Sequence, residues 1–162
     1  MRGPRIFTLA ALVGATACST YGWAARPGPT VTHELVAVRT VDVDASSGAD
    51  AAYLTRTFVQ ALHGAGVVGA AWTTSPPEGG VLACDIAVTD DAAFGDALHV
   101  TASARCALDG LVVTERRGDV QIASTPAARL SDRARAAEAA SNAALAAVAT
   151  DIADHLALET TP

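Results

Sequence analysis

The segment VLACDIAVTDDAAFGDALHVTASARCALDGLVVTERRGDVQIAS, Val81 to Ser124, decides the fold. Asp109-Gly110 inside it is the strongest tight-turn signal in the chain, because both positions of a two-residue hairpin turn favour residues that tolerate positive φ. Ala97–Leu108 (ALHVTASARCAL) leads into that turn as a strand. Leu111–Ser124 returns from it as another, with Arg117-Gly118 as the one place where it could break. Upstream, Val81–Thr89 (VLACDIAVT) is a strand joined to Ala97–Leu108 by the loop Asp90–Asp96, in which Phe94 is the one large apolar side chain. A hairpin centred on Gly95 sets Cys84 opposite Cys106, since 84 + 106 = 190, and Thr89 opposite Thr101 by the same sum.

Working outward, the loop SPPEGG (Ser75–Gly80) is too short to hold a helix, so Val67–Thr74, broken by Gly69, is a strand that precedes Val81 directly. Glu34–Val43 (ELVAVRTVDV) is the first strand; it begins apolar and then alternates, so its two ends fall on different faces. Between these strands, Ala51, Leu54, Phe58, Ala61 and Leu62 share one face of an amphipathic helix. Ser47 with Asp50 resembles a capping box for that helix, and Gly64 and Gly66 stop it. After Pro126, with Ser131 as the expected N-cap, Ala137, Ser141, Leu145, Val148, Ile152 and Leu156 recur at helical spacing over about Asp132–Leu158. The order is β-α-β-β-β-β-α. It predicts an α+β two-layer sandwich, a mainly antiparallel sheet with two helices on one face, over residues 33–158, with 159–162 as a frayed tail.

The first twenty residues set the compartment. Arg2 and Arg5 precede a short apolar run, Ile6–Val13, followed by small residues and Cys18. That is a secretory signal over 1–17, far short of the roughly 20 apolar residues a membrane span needs. Two readings of the cleavage site cut the same bond. Ala15-Thr16-Ala17 is an ordinary A-x-A site, and Ala15-Thr16-Ala17-Cys18 resembles the lipobox of bacterial lipoproteins, in which the cysteine thiol carries a diacylglycerol. The lipobox makes Cys18 the lipidation site and Ser19 the residue that directs it to the outer membrane, periplasmic face. Several acyl chains together hold a protein there, at about 0.8 kcal/mol per buried methylene. Residues 18–32, rich in Gly and Pro, form the tether. Tyr21 and Trp23 within it either meet lipid headgroups or pack on the sheet.

Composition narrows the partners. Removing residues 1–17 leaves 145 of 162, with nine arginines against 17 acids and no lysine, a formal charge of about −8. So acidic a chain, without a basic cluster, is not a nucleic-acid binder. With Cys18 lipidated, Cys84 and Cys106 remain as an even pair in an oxidising compartment, either a disulfide or two buried thiols; the hairpin register favours the disulfide.

Catalytic patterns are lacking. His33, His63, His99 and His155 fall on four different elements without ligand spacing, so no metal site is expected. There is no G-x-S-x-G elbow and no Gly-rich phosphate loop. The expectation is a binding protein, no enzyme, with no cofactor.

The lipobox at Cys18, the aromatic tether with Tyr21, the Glu34–Val43 strand, the helix ADAAYLTRTFVQALHGAGV, the strand ALHVTASARCAL with its Asp109-Gly110 turn, and the closing AVATDIADHLAL helix resemble the LPS-assembly lipoproteins, the LptE-like family. The resemblance implies a non-enzymatic subunit of an LPS translocation complex, seated in an outer-membrane β-barrel protein (LptD-like), with LPS contacted through basic side chains. In the sheet those are Arg105, Arg116 and Arg117. CsgG-like, LpoB-like and TolB amino-terminal domains also open with a VAV-type strand and a helix, but usually insert another helix where this chain has SPPEGG. They and the auxiliary lipoproteins of ABC transport systems imply instead a periplasmic adaptor or regulatory lipoprotein that binds a protein partner.

Overall fold

A computed structural model describes residues 35–91 and 97–159. The expected signal peptide, Cys18, the expected tether with Tyr21 and Trp23, His33, Phe94 and the last three residues lie outside these described residues.

The strands are β1 (Val36–Val38), β2 (Asp42–Val43), β3 (Ala70–Trp72), β4 (Val81–Asp91), β5 (Ala97–Leu108) and β6 (Leu111–Ala123); the helices are α1 (Ala51–Gly64) and α2 (Arg129–Glu159). They form one six-stranded sheet in the order β3-β1-β4-β5-β6, with β2 also on β4. The three long strands β4, β5 and β6 form an antiparallel meander, and β1 lies parallel to both β3 and β4. Both helices pack on one face, α2 across β5 and β6 and α1 beside β3. The α+β two-layer architecture and the element order agree with the sequence pattern.

The expected first strand is split in two. Ala37 pairs with Val81, an offset of 44, while Asp42 pairs with Asp85, an offset of 43, so one residue is looped out between them. The shift brings Val36, Val38 and Val41 all to the buried side. Val41 N–H leaves the ladder and donates to the buried Thr55 hydroxyl at 2.9 Å, which itself donates to Ala51 C=O at 2.7 Å. The second expected strand shrinks to Ala70–Trp72, because Val67 N–H and Gly66 N–H are still closing the end of α1 on Leu62 and His63.

Both expected helix caps are corrected. Asp50, not Ser47, caps α1, accepting from Ala52 and Tyr53 N–H. Ser47 sits instead in a 3-10 turn, Ala45–Ser47, that Asp44 caps. That turn is held by α2: Arg133 donates to Ser46 C=O at 2.7 Å, and Glu138 accepts from Asp50 N–H at 3.2 Å. At the other helix, Ser131 lies inside α2 and donates to Ala128 C=O; the helix begins at Arg129.

The core forms where the helices meet the sheet. Leu54, Phe58 and Leu62 of α1 are fully buried, as are Ala137, Ser141, Leu145, Val148, Ile152 and Leu156 of α2. The alanine-rich seam lets α2 approach closely, and β6 runs unbroken through Arg117-Gly118 beneath it. A Cβ on Gly118 would lie 2.2 Å from Ala140 C=O and 2.7 Å from Ala144 N. Position 118 is the crossing point of helix and sheet.

Candidate functional site

Among the described residues, no helix packs on the second face of the sheet. Along β5, Leu98, Val100, Ala102, Ala104 and Cys106 point into the core, while His99, Thr101, Ser103 and Arg105 point to the uncovered face. Register then sets their neighbours. Arg105 lies between Asp85 on β4 and Glu115 on β6, Ser103 opposite Arg117, and Thr101 between Thr89 and Asp119. Ser103 donates to Glu115 at 3.1 Å and Thr101 donates to Asp119 at 2.7 Å, with His99 Nε2 3.8 Å from the same Asp119 oxygen. Signs alternate along this ladder, so the face is polar and mixed rather than basic.

The three arginines singled out in the sequence are not one patch. Arg105 and Arg117 project from the uncovered face. Arg116 projects from the other, where it grips Asp151 of α2 by two hydrogen bonds, Nε at 2.7 Å and Nη2 at 2.8 Å. Thr114 donates to the same carboxylate. The Arg116 hydrogen bonds hold the Asp151 carboxyl below the usual carboxylate range, and the carboxylate in turn raises the Arg116 guanidinium. A depressed acid stabilises the fold fully above its unfolded pKa, about 3.9, and loses that contribution as pH falls through the lower folded value. Wild-type stability should therefore fall relative to Asp151→Asn as pH is lowered from 5 through about 4 and beyond. Parallel urea curves for the two proteins over that range would show no convergence if the pair were inert.

Cys84 and Cys106 form a disulfide across β4 and β5, with Cα atoms 4.1 Å apart, the separation of a non-hydrogen-bonded cross-strand pair. Both are buried on the helix side.

At its β3–β1 end the uncovered face changes character. Ala37 and Ala71 pair side by side as a flat floor. Leu35, Thr73, Pro77 and Gly79 wall it into an apolar groove of about 290 Å³. The wall is fastened by a residue whose turn role alone was expected. Asp109 accepts from Gly80 N–H at 3.1 Å and Val81 N–H at 2.8 Å, tying the SPPEGG loop to the β5–β6 turn. Asp109 at φ 49° and Gly110 at φ 83° make that turn with both central residues left-handed.

Among the described residues, no three His, Cys, Asp or Glu side chains gather as a metal site. No described helix is long and apolar enough to cross a membrane.

No family model matches the chain, and no curated protein is similar to it. Among solved structures, the chain is similar to a candidate lipoprotein from Caulobacter crescentus CB15, with TM-score 0.47 and 16% identity over 76% of this chain and 93% of that one. It is similar to a DUF330 protein from Xanthomonas campestris, with TM-score 0.46 and 16% identity over 83% and 93%. A PelC dodecamer from Paraburkholderia phytofirmans is similar at TM-score 0.46 and 12% identity, over 77% and 91%.

Proposed function

We propose that this chain is an outer-membrane lipoprotein, anchored through Cys18 on the periplasmic face, that serves as a non-enzymatic binding subunit of an LPS assembly complex and docks a β-barrel partner. The observation that carries the reading is the uncovered sheet face, a polar surface behind a lipobox-like leader. Such a surface offers hydrogen-bonding groups at fixed spacing.

The mixed-sign ladder favours a second reading for a specific reason. Anionic LPS would seek a basic patch, whereas Arg105 is flanked by Asp85 and Glu115 and Arg116 is engaged with α2. A protein surface of complementary mixed charge suits this face better, which also fits an adaptor or regulatory lipoprotein.

Crosslinking in intact cells, with partners identified by mass, tests it. Capture of an outer-membrane barrel, together with loss of surface LPS on depletion, supports the assembly role. Capture of a different periplasmic protein with LPS export intact supports the adaptor role and removes the first. Ser103→Arg, placed mid-face, should abolish capture while leaving palmitate labelling and circular dichroism unchanged.

A further inference from the structure

The apolar groove beside Leu35 is the starting point. Its floor is alanine methyl groups, its walls are Leu35, Pro77 and Thr73, and it opens toward solvent on the uncovered face. Leu35 is 82% exposed although it forms part of the rim, and it is also where the described chain begins. The chain preceding it therefore starts at the mouth of the groove.

That preceding segment has the composition to fill it. The chain has seven aromatic side chains, two Trp, two Tyr and three Phe, and two of the seven, Tyr21 and Trp23, lie between Cys18 and Leu35. A pure spacer does not need them. Twelve positions separate Trp23 from Leu35, a reach of up to about 40 Å when extended. Pro27-Gly28-Pro29 lies between, a turn-forming run that lets the chain double back.

We propose that the tether docks on its own domain, with the Tyr21–Trp23 stretch seated in the groove formed by Leu35, Ala37, Ala71, Thr73 and Pro77. The occupant is this segment of the same chain, and the proposal does not depend on which partner the uncovered face binds. Docking changes the geometry of anchoring. The seventeen positions from Cys18 to Leu35 would span up to about 60 Å if fully extended. With the aromatics seated, only the few residues from Cys18 to Tyr21 remain free, about 10 Å of chain. The β3–β1 edge is then drawn to the membrane, and the β5–β6 end of the uncovered face is turned away from it, toward a partner.

Tryptophan fluorescence tests this on the mature chain with Cys18→Ala. Ala15-Thr16-Ala17 still provides an ordinary cleavage site, and no lipid is left to report on. Trp72→Phe makes Trp23 the sole tryptophan. The expected result is blue-shifted emission with acrylamide quenching several-fold below that of a free tryptophan peptide, independent of protein concentration. Adding Ala71→Arg, which plants a charged side chain on the groove floor, should shift the emission to the red and restore full quenching with circular dichroism unchanged. Should Ala71→Arg perturb the fold, tether-side Trp23→Ala in the otherwise unaltered domain provides the second arm, expected to raise binding of an apolar dye to the groove. Solvent-like emission from Trp23 at the outset overturns the proposal. So does emission that ignores Ala71→Arg in a folded variant, or a blue shift that appears only as the protein dimerises, which would assign the groove to a second copy.

Discussion

Gly118→Ala should destabilise this protein by about 3 kcal/mol, the upper end of ordinary overpacking. The added methyl has nowhere to go. Its nearest neighbours are the Ala140 carbonyl at 2.2 Å, the Ala144 nitrogen at 2.7 Å and the Ala143 methyl at 3.0 Å. Two of these are helix backbone, which cannot swing aside as a side chain would. Relief requires lifting α2 from β6, and that lift would also strain the Arg116–Asp151 grip and loosen Leu145 and Val148, buried on the helix just past the crossing. Urea unfolding should show a lower midpoint at unchanged slope. Gly64→Ala is the control: it is exposed at the end of α1 with nothing within 4 Å, so it should be neutral or stabilising by up to about 1 kcal/mol. Equal stability of Gly118→Ala and wild type would mean that helix and sheet do not cross this closely.

The second large effect is loss of the Cys84–Cys106 disulfide. The two cysteines are 22 positions apart, and on the chain-entropy model closing such a loop stabilises the fold by about 3 kcal/mol. Its position supports a value near the model. The strands on which it sits are already in register from Leu82↔Leu108 through Asp91↔His99, so the bridge adds to a ladder rather than distorting one. Reductant should lower the unfolding free energy of wild type by about 3 kcal/mol and leave the double variant Cys84→Ala/Cys106→Ala unchanged. A wild type indifferent to reductant, with both thiols alkylated before and after treatment, would show that no bridge is present.

What could be read from the sequence followed from local chemistry. The Asp109-Gly110 turn dictates its own hairpin, and the Gly95-centred register placed Cys84 opposite Cys106, as the sheet has them. The six seam residues of α2 are all buried for the same reason, a periodicity that one helix carries by itself. What could not be read depends on partners distant in the chain. The break after β1 is stabilised by Thr55, fourteen residues away. Ser47 and Asp50 are both competent caps, and it is Glu138 and Arg133 on α2 that accompany the choice of Asp50. Gly118 looked like a break because a strand glycine often is one; only the helix above it shows otherwise.

The arginines illustrate the limit most sharply. Counted from the turn, Leu108 faces Leu111, a sum of 219, and this register would put Arg116 opposite Ser103 on the uncovered face. A bulge at Val113 raises the sum to 220 at Cys106↔Thr114. One extra residue exchanges the two sides, sending Arg116 to the helix and Arg117 outward. Strand alternation counted from the turn, without knowledge of the bulge, exchanges the two faces.

The sheet order also sets a timetable for the chain's own synthesis. Within the meander, β4, β5 and β6 pair each with its neighbour in sequence, and α2 follows directly to cover β5 and β6, so the carboxy-terminal half can assemble from near contacts. The amino-terminal half cannot. Although β1, α1 and β3 are made first, β1 is an interior strand that needs β4 on its other side, and the 44–50 turn waits for Arg133 and Glu138. Everything that leaves the ribosome before about residue 82 must therefore wait unfinished. The last helix made is the one that closes the first.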